Sequence, residues 1–370
     1  MSLLSGHFDD LTVDHIEFYV EDVARSAARL VTGYGFHVYG VAGDEAAGTF
    51  RSVALGCADI LLVLTQGLVE EHPAYLYTQA HGDGVANIAL RTGDARTAFE
   101  TAVVRGARPV VHPTAWPGQP GFVTATIGAF GDVTHTFIQR PGGVAAIDGL
   151  PGFVPSDTPG WATDGNGAPR PALDAIDHLA VCLEAGGLAP TVEFYESALD
   201  FSVVFEERIS VGAQAMLSQV VQSRSGSVTL TLIQPDPDAE AGQIDDFLKE
   251  HNGPGVQHIA FRTESIVAAV DALVTRGVEF LGTPGAYYDL LVQRLTLARY
   301  AADELKALNI LVDEDHDGQL FQIFARSAHP RRTFFFEVIE RLGARTFGSG
   351  NIRALYQAVE TERLKAQVLS

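Results

Sequence analysis

Two histidines and a glutamate stand in short apolar runs at intervals of roughly 80 residues. His178 lies in Ala175-Ile-Asp-His-Leu-Ala-Val-Cys182, His258 in Gly253-Pro-Gly-Val-Gln-His-Ile-Ala-Phe-Arg-Thr263, and Glu337 in Thr333-Phe-Phe-Phe-Glu-Val-Ile339. On an alternating strand, His178 and Ala180 share one face, with Leu179, Val181 and Leu183 on the other. His258, Ala260 and Arg262 likewise share a face, opposite Gln257, Ile259 and Phe261. A small alanine therefore sits beside each histidine and leaves space there. A carboxylate among large apolar side chains is costly to bury unless a cation compensates it. Two imidazoles and one carboxylate are the donor set of a facial-triad Fe(II) site. Each residue alone has a plainer reading: a strand histidine is more often a hydrogen-bonded core residue than a ligand, and Glu337 could pair with Arg331, Arg332 or Arg341. Neither explanation accounts for the three together.

The elements that must position these residues come from an internal repeat. Val13-Asp-His-Ile-Glu-Phe-Tyr-Val20 resembles Ile176-Asp-His-Leu-Ala-Val-Cys-Leu183, and Gly84-Val-Ala-Asn-Ile-Ala-Leu-Arg-Thr92 resembles Gly255-Val-Gln-His-Ile-Ala-Phe-Arg-Thr263. After the second strand of each pair, apolar residues recur at helical spacing (Ala98, Phe99, Ala102, Val103; Ile266, Ala269, Val270, Leu273) before Arg-Gly and another apolar run. Both halves are thus built from the same βα units. In the first half Asn87 stands where the second has His258, and Thr136 matches Glu337. His15 keeps the first ligand position without its partners, so it is read as structural. The expected organisation is a metal-free domain over residues 1–150, a Pro/Gly-rich connection over 151–172, and a metal-binding domain over 173–370.

With 370 residues and 46% hydrophobic content, the chain can bury the cores of two domains. A net charge of −21 argues against nucleic acid and against an acidic membrane surface. No apolar run reaches the roughly 18 residues of a membrane span, and the first ten residues carry neither a basic region nor a long apolar core. A soluble cytoplasmic protein is expected. The two cysteines, Cys57 and Cys182, offer neither a zinc spacing nor a disulfide framework.

Five blocks in order, Gly255-Val-Gln-His-Ile-Ala260, Tyr287-Tyr-Asp289, Leu320-Phe-Gln-Ile-Phe324, Phe336-Glu-Val-Ile-Glu-Arg341 and Phe347-Gly-Ser-Gly-Asn351, are similar to signature blocks of the 4-hydroxyphenylpyruvate dioxygenase family. The resemblance covers nearly the whole chain. It implies an α+β fold of two tandem vicinal oxygen chelate domains, each an open barrel of paired βαβββ modules. It also implies a closing helix over 351–369, where Ile352, Leu355, Tyr356 and Val359 have amphipathic spacing. Carried over, the family's Fe(II) ligands fall on His178, His258 and Glu337. Ser218, Thr231 and Gln322 match polar pocket positions, and Phe324, Phe335, Phe347 and Ile352 match its apolar wall. Each is also open to a plainer reading, as a strand residue bonded to backbone or a core side chain. Gln243 has a family counterpart near the site but is not expected to touch substrate. The partners implied are 4-hydroxyphenylpyruvate and O2, in a homo-oligomer, a dimer.

Departures from the ring-hydroxylating pattern single out a branch. Thr231-Leu-Ile-Gln-Pro235 stands where homogentisate-forming members carry Pro-Leu-Asn-Glu-Pro, and Asn351-Ile352 stands where they carry Asn-Phe. These segments resemble the branch that forms 4-hydroxymandelate, which implies benzylic hydroxylation and a role in supplying 4-hydroxyphenylglycine to peptide antibiotics. The alternative is the homogentisate-forming reaction of tyrosine catabolism. A binding-only descendant of the fold is disfavoured by the intact triad.

Overall fold

The structure, a computed structural model, describes residues 6–43, 48–141, 150, 152–155, 168–348 and 350–354. It contains four βαβββ units. The first is β1 (Thr12–Tyr19), α1 (Val23–Tyr34), β2 (His37–Gly43), β3 (Phe50–Cys57) and β4 (Ile60–Gly67). Helix α2 (Pro73–His81) leads to the second, β5 (Gly84–Arg91), α3 (Ala95–Val104), β6 (Pro109–Ala115), β7 (Val123–Gly128) and β8 (Thr134–Gln139). A short strand β9 (Val154–Pro155) precedes the third, β10 (Ala175–Cys182), α4 (Leu188–Leu199), β11 (Ser202–Val211), β12 (Gln214–Gln222) and β13 (Thr229–Pro235). After α5 (Gln243–His251) comes the fourth, β14 (Gly255–Arg262), α6 (Ile266–Thr275), β15 (Leu311–Glu314), β16 (Gln319–Phe324) and β17 (Phe335–Leu342), with α7 (Gly285–Arg294) and α8 (Ala302–Ala307) inserted after α6.

The strands form two sheets, β6-β7-β8-β5-β1-β4-β3-β2-β9 and β11-β12-β13-β10-β14-β17-β16-β15. In each, two units meet through their first strands, which run antiparallel (β1 with β5, β10 with β14). Parallel pairs flank this seam, β1 with β4 and β5 with β8, β10 with β13 and β14 with β17. This is the tandem architecture that the repeat implied. The Pro/Gly-rich connection does more than its composition suggested, because Val154 and Pro155 pair with Val41 and Gly40 and extend the first sheet. Of the expected closing helix, residues 350–354 are helical; Leu355, Tyr356 and Val359 lie outside the described residues.

One face of each central strand makes the core. Ile16, Leu62 and Ile88 from the first half and Leu179, Val181, Ile259, Phe261 and Val338 from the second belong to a single buried cluster. Helix α1 helps to join the halves: its Tyr34 ring lies 5.0 Å from that of Phe336 and 6.5 Å from that of Phe261. Asp22 caps the start of this helix by accepting from the Arg25 N–H, and Gly35 ends it with φ 73°, a left-handed turn that favours glycine. A second tie is buried, His135 Nε2 to the Tyr195 hydroxyl at 2.8 Å. Among the described residues no helix is long and apolar enough to cross a membrane.

The first half reproduces the strand register but fills the corresponding space. Asn87 opposes Thr134 and Ala89 opposes Thr136, as His258 opposes Phe335 and Ala260 opposes Glu337. Thr136 donates to the Asn87 carbonyl at 3.1 Å. Where the second half has Ala180, the first has Glu17, which accepts from the Thr65 hydroxyl at 2.8 Å. His15 is held by Asp14 at 2.8 Å, and Asp14 is gripped by Arg140 through two bonds of 2.7 Å. Burial alone would raise the Asp14 carboxyl, but hydrogen bonds from Arg140 and His15 outweigh it and hold it well below the usual carboxylate range. Asp14→Ala would remove the buried carboxylate that Arg140 and His15 hold and is expected to cost about 3–5 kcal/mol in urea unfolding at pH 7. A carboxyl whose folded pKa is depressed stabilises above its unfolded pKa and loses that contribution as pH falls through the folded value. The gap between native and variant should therefore be full at pH 7 and shrink below about pH 4; a gap that did not change would show that Asp14 carries no charge-dependent stability.

Candidate metal centre

Three adjacent strands bring the expected ligands together. β10 and β14 place His178 opposite Ala260 and Ala180 opposite His258, while β14 and β17 place Ala260 beside Glu337. The two alanines fill the remaining corners of this lattice, so nothing larger than a methyl group intrudes between the three donors. His258 Nε2 lies 3.3 Å and His178 Nε2 3.6 Å from Glu337 Oε2, and the ligand atoms all fall within 4.8 Å of one another. The imidazole planes cross at 80°. All three residues are buried, Glu337 with only 1% of its surface exposed. Among the described residues this is the one cluster of three or more such groups suited to an ion.

Two of the alternative partners of Glu337 bind elsewhere. Arg341 binds Asp177, and Arg331 donates to the carbonyls of Gln79, Ala80 and Glu250. What reaches Glu337 is the neutral amide of Gln322, 2.8 Å from Oε1, which leaves Oε2 aimed at the two imidazoles. A buried carboxylate that forms no ion pair with an arginine or lysine among the described residues, and that faces two imidazole nitrogens, fits a divalent metal ion. Two nitrogen donors and one oxygen donor on one side suit Fe(II).

The histidines are oriented by irregularities that strict alternation does not foresee. Along β10 and β14, Ile176 pairs with Phe261 and His178 with Ala260, so Asp177 is an extra residue. Further on, Ala180 pairs with His258 and Val181 with Val256, so Gln257 is extra on the other strand. Each bulge turns the residue just before a histidine towards that histidine. Asp177 accepts from His178 Nδ1 at 2.9 Å, and the Gln257 carbonyl accepts from His258 Nδ1 at 3.3 Å. With Nδ1 carrying the proton, each Nε2 presents its lone pair to the ion. The expectation that Gln257 lies on the Ile259 face is corrected: it lines the cavity. Burial lowers the His258 pKa and favours the neutral imidazole a metal needs. Asp177 shows the opposite balance. Desolvation would raise it, but bonds from His178 and Arg341 hold it well below the usual carboxylate range. The first half has the same two bulges, at Asp14 and Ala86, and alanine there supplies no acceptor.

Comparison with known proteins agrees with this geometry. Residues 175–323 match the Glyoxalase/Bleomycin resistance protein/Dioxygenase superfamily. The chain is 32% identical over 364 residues to 4-hydroxyphenylpyruvate dioxygenase of Dictyostelium discoideum, covering 95% of this chain and 97% of that protein. It is 34% identical to probable 4-hydroxyphenylpyruvate dioxygenase 2 of Aspergillus fumigatus, over 95% of this chain and 93% of that one. The chain belongs to the 4-hydroxyphenylpyruvate dioxygenase family. A solved structure of a triple mutant of 4-hydroxymandelate synthase from Streptomyces coelicolor superposes with a TM-score of 0.83 at 43% identity, covering 95% of this chain and 98% of that one.

Within this dioxygenase-family fold, a cavity opens onto the three ligands. Ser218, Thr231, Gln322, Phe324, Phe347 and Ile352, all expected pocket residues, line it. Ile209, Met216 and Ile233 complete the wall; Ile233 is the residue that departs from the family's asparagine, whereas Ile209 and Met216 were not foreseen, because nothing in an apolar strand residue marks which face of a curled sheet it will line. Gln322 also makes two side-chain bonds that the sequence did not indicate. Its amide donates to Glu337, and its carbonyl accepts from the Asn351 amide at 2.8 Å. Phe335 is also displaced from its expected role: parallel register sets it beside His258, whose ring it stacks on at 4.9 Å, and it backs that ligand instead of bounding the cavity. Gln243 opens α5 and does not line the cavity. Thr231 differs from its neighbours, since its buried hydroxyl has no hydrogen-bond partner.

Fe(II) titrated anaerobically into apoprotein should bind at one ion per chain, and Glu337→Ala should abolish tight binding. His15→Ala should leave the stoichiometry at one. Full iron occupancy in Glu337→Ala, or loss of iron from a folded His15→Ala protein, would show that the ion sits elsewhere.

Proposed function

We propose that the protein is an Fe(II)-dependent dioxygenase that converts 4-hydroxyphenylpyruvate and O2 to 4-hydroxymandelate and CO2. The observation that carries the reading is the triad of His178, His258 and Glu337 at the floor of a largely apolar cavity, into which Thr231 brings a buried hydroxyl with no hydrogen-bond partner among the described residues. His178, His258 and Glu337 would hold Fe(II), which when bound would supply the redox chemistry of oxidative decarboxylation of a 2-oxo acid by dioxygen. One carboxylate among the ligands leaves the loaded site cationic, which draws an anionic oxo acid into a protein of net charge −21.

The chain's own residues then bind and orient. Ile209, Met216, Ile233, Phe324, Phe347 and Ile352 enclose an aromatic ring and keep water from the reacting carbon. An unpaired buried hydroxyl is costly, so Thr231 is the group poised to bond a polar atom of the substrate, its phenol or its carboxylate. Thr231→Val should keep iron binding and raise KM for 4-hydroxyphenylpyruvate about 10-fold, in line with a hydrogen bond worth 0.5–1.5 kcal/mol plus its unmet partner. An unaltered KM would exclude that role.

The substrate can be hydroxylated at its benzylic carbon or on its ring, and whichever carbon is held nearer the reacting oxygen is favoured. A tenfold change in product ratio needs only about 1.4 kcal/mol, within reach of one wall residue. Ile352 is compact where a phenylalanine would press on the ring, and this supports benzylic hydroxylation, as does the 43% identity to the mandelate synthase against 32% and 34% to the two dioxygenases. Anaerobic loading with Fe(II) and 4-hydroxyphenylpyruvate, followed by air and chromatography, should yield 4-hydroxymandelate. Ile352→Phe should divert a measurable fraction to ring-hydroxylated product. Homogentisate from the native chain would establish the ring-hydroxylating reading instead.

A further inference from the structure

We infer that Arg341 is a positioning residue that couples the seat of His178 to the turn over residues 343–348, so that metal occupancy and the docking of that turn stabilise each other. The inference rests on the triad being the metal site. Arg341 ends the strand that carries Glu337, and its guanidinium serves two clients. Nε and one terminal nitrogen hold both oxygens of Asp177 at 2.8 Å, and Asp177 in turn holds His178. The other terminal nitrogen donates to the carbonyls of Thr346 at 2.6 Å and Ala344 at 3.3 Å. The same cation lies 4.9 Å from the centre of the Phe347 ring, and that ring stands edge-on to His178 at 5.2 Å.

A guanidinium is planar and rigid, so it cannot tilt to follow one client without straining its bonds to the other. The turn has its own anchor on the far side: Asp315 accepts from the N–H groups of Arg345 at 2.7 Å and Thr346 at 2.8 Å. The turn is therefore held between Asp315 and Arg341, and Arg341 is the side that reports on the metal ligand. Beyond the turn, the short helical stretch brings Asn351 onto Gln322 and Ile352 onto the cavity. A metal ion that fixes the His178 ring also fixes Asp177 and the plane of Arg341, and with it the hydrogen bonds of the turn. By thermodynamic reciprocity, loosening the turn must weaken the metal by the same factor that metal tightens the turn. The first half supplies an internal control, since Arg140 makes the same two-bond contact with Asp14, which holds His15, in a half whose ligand positions are Asn87 and Thr136.

The test uses the full chain and Co(II) as probe, without substrate, so it stands apart from the proposed reaction. In native protein, Co(II) should slow hydrogen exchange of peptides spanning residues 343–348. In Arg341→Lys, which keeps the charge but loses the fork, Co(II) affinity should fall about 10- to 100-fold, the usual effect of losing a group that orients a metal ligand. At saturating Co(II) the exchange of 343–348 should no longer respond to the metal. Arg140→Lys should leave both the Co(II) affinity and the metal-dependent protection of 343–348 as in native protein. Asp177→Asn gives the same readings by breaking the other end of the contact, and it stands in should Arg341→Lys fail to fold. Faster exchange that still slows on adding Co(II), with native affinity, would mean that Arg341 merely braces the turn and would overturn the inference alone. Failure of the native chain to bind Co(II) would overturn the metal assignment and the inference with it.

Discussion

The second half of this protein is arranged around one carboxylate that it buries without giving it a basic side chain. Glu337 is buried on β17, beside the central pair β10 and β14 of the second sheet and flanked in sequence by phenylalanine and aliphatic residues, while Arg341 is engaged by Asp177 and Arg331 by backbone carbonyls. A buried charge needs a partner, and the one on offer is the space between two imidazoles. Much of the local architecture follows from that constraint. Alanines 180 and 260 keep the space open, Gln322 fixes one oxygen so that the other points inward, and Phe335 stacks against His258 to hold its ring upright.

Duplication lets the same fold serve as its own comparison. Both halves have the seam of antiparallel first strands, the same two bulges and the same Asp–His pair held by a bidentate arginine. The Asp–His–Arg part of the orienting apparatus is thus common to both halves, whereas the acceptor that Gln257 offers His258 is present in the second half alone. What distinguishes the halves is what fills the concave face: Glu17, Thr65, Asn87 and Thr136 satisfy one another in the first, whereas the second leaves a carboxylate, two ring nitrogens and the Thr231 hydroxyl to be satisfied by something not part of the chain. A polar network that closes on itself rigidifies a core, and one left open at the centre is a binding site.

Proton placement follows from the same packing. Burial favours the neutral form of His258, and hydrogen bonds from His178 and Arg341 outweigh burial at Asp177 and favour its ionised form. The site is thereby prepared with lone pairs aimed inward before any ion arrives, which reduces the reorganisation that binding requires.

The chain's linear order determined the repeat, the class of fold and the three candidate ligands, because these depend on local patterns: alternating apolar residues, a small residue beside each histidine, and a carboxylate where an apolar side chain belongs. The same local reasoning found His15, Asn87 and Thr136 as the corresponding positions of the first half, which the strand registers reproduce. Tertiary structure alone decided the rest. Gln257 faces the cavity because a bulge breaks the period of two, and a bulge is set by pairing with another strand, not by the residue's neighbours in sequence. Gln322 bonds to Glu337 and Asn351 because three segments remote in sequence meet there. Ile209 and Met216 line the cavity because their sheet curls over it, and Phe335 lies behind His258 because two parallel strands happen to be in that register. Pattern along the chain specifies which residues are able to bind a metal; only the packing of strands against strands settles which atoms remain unsatisfied when the fold is complete.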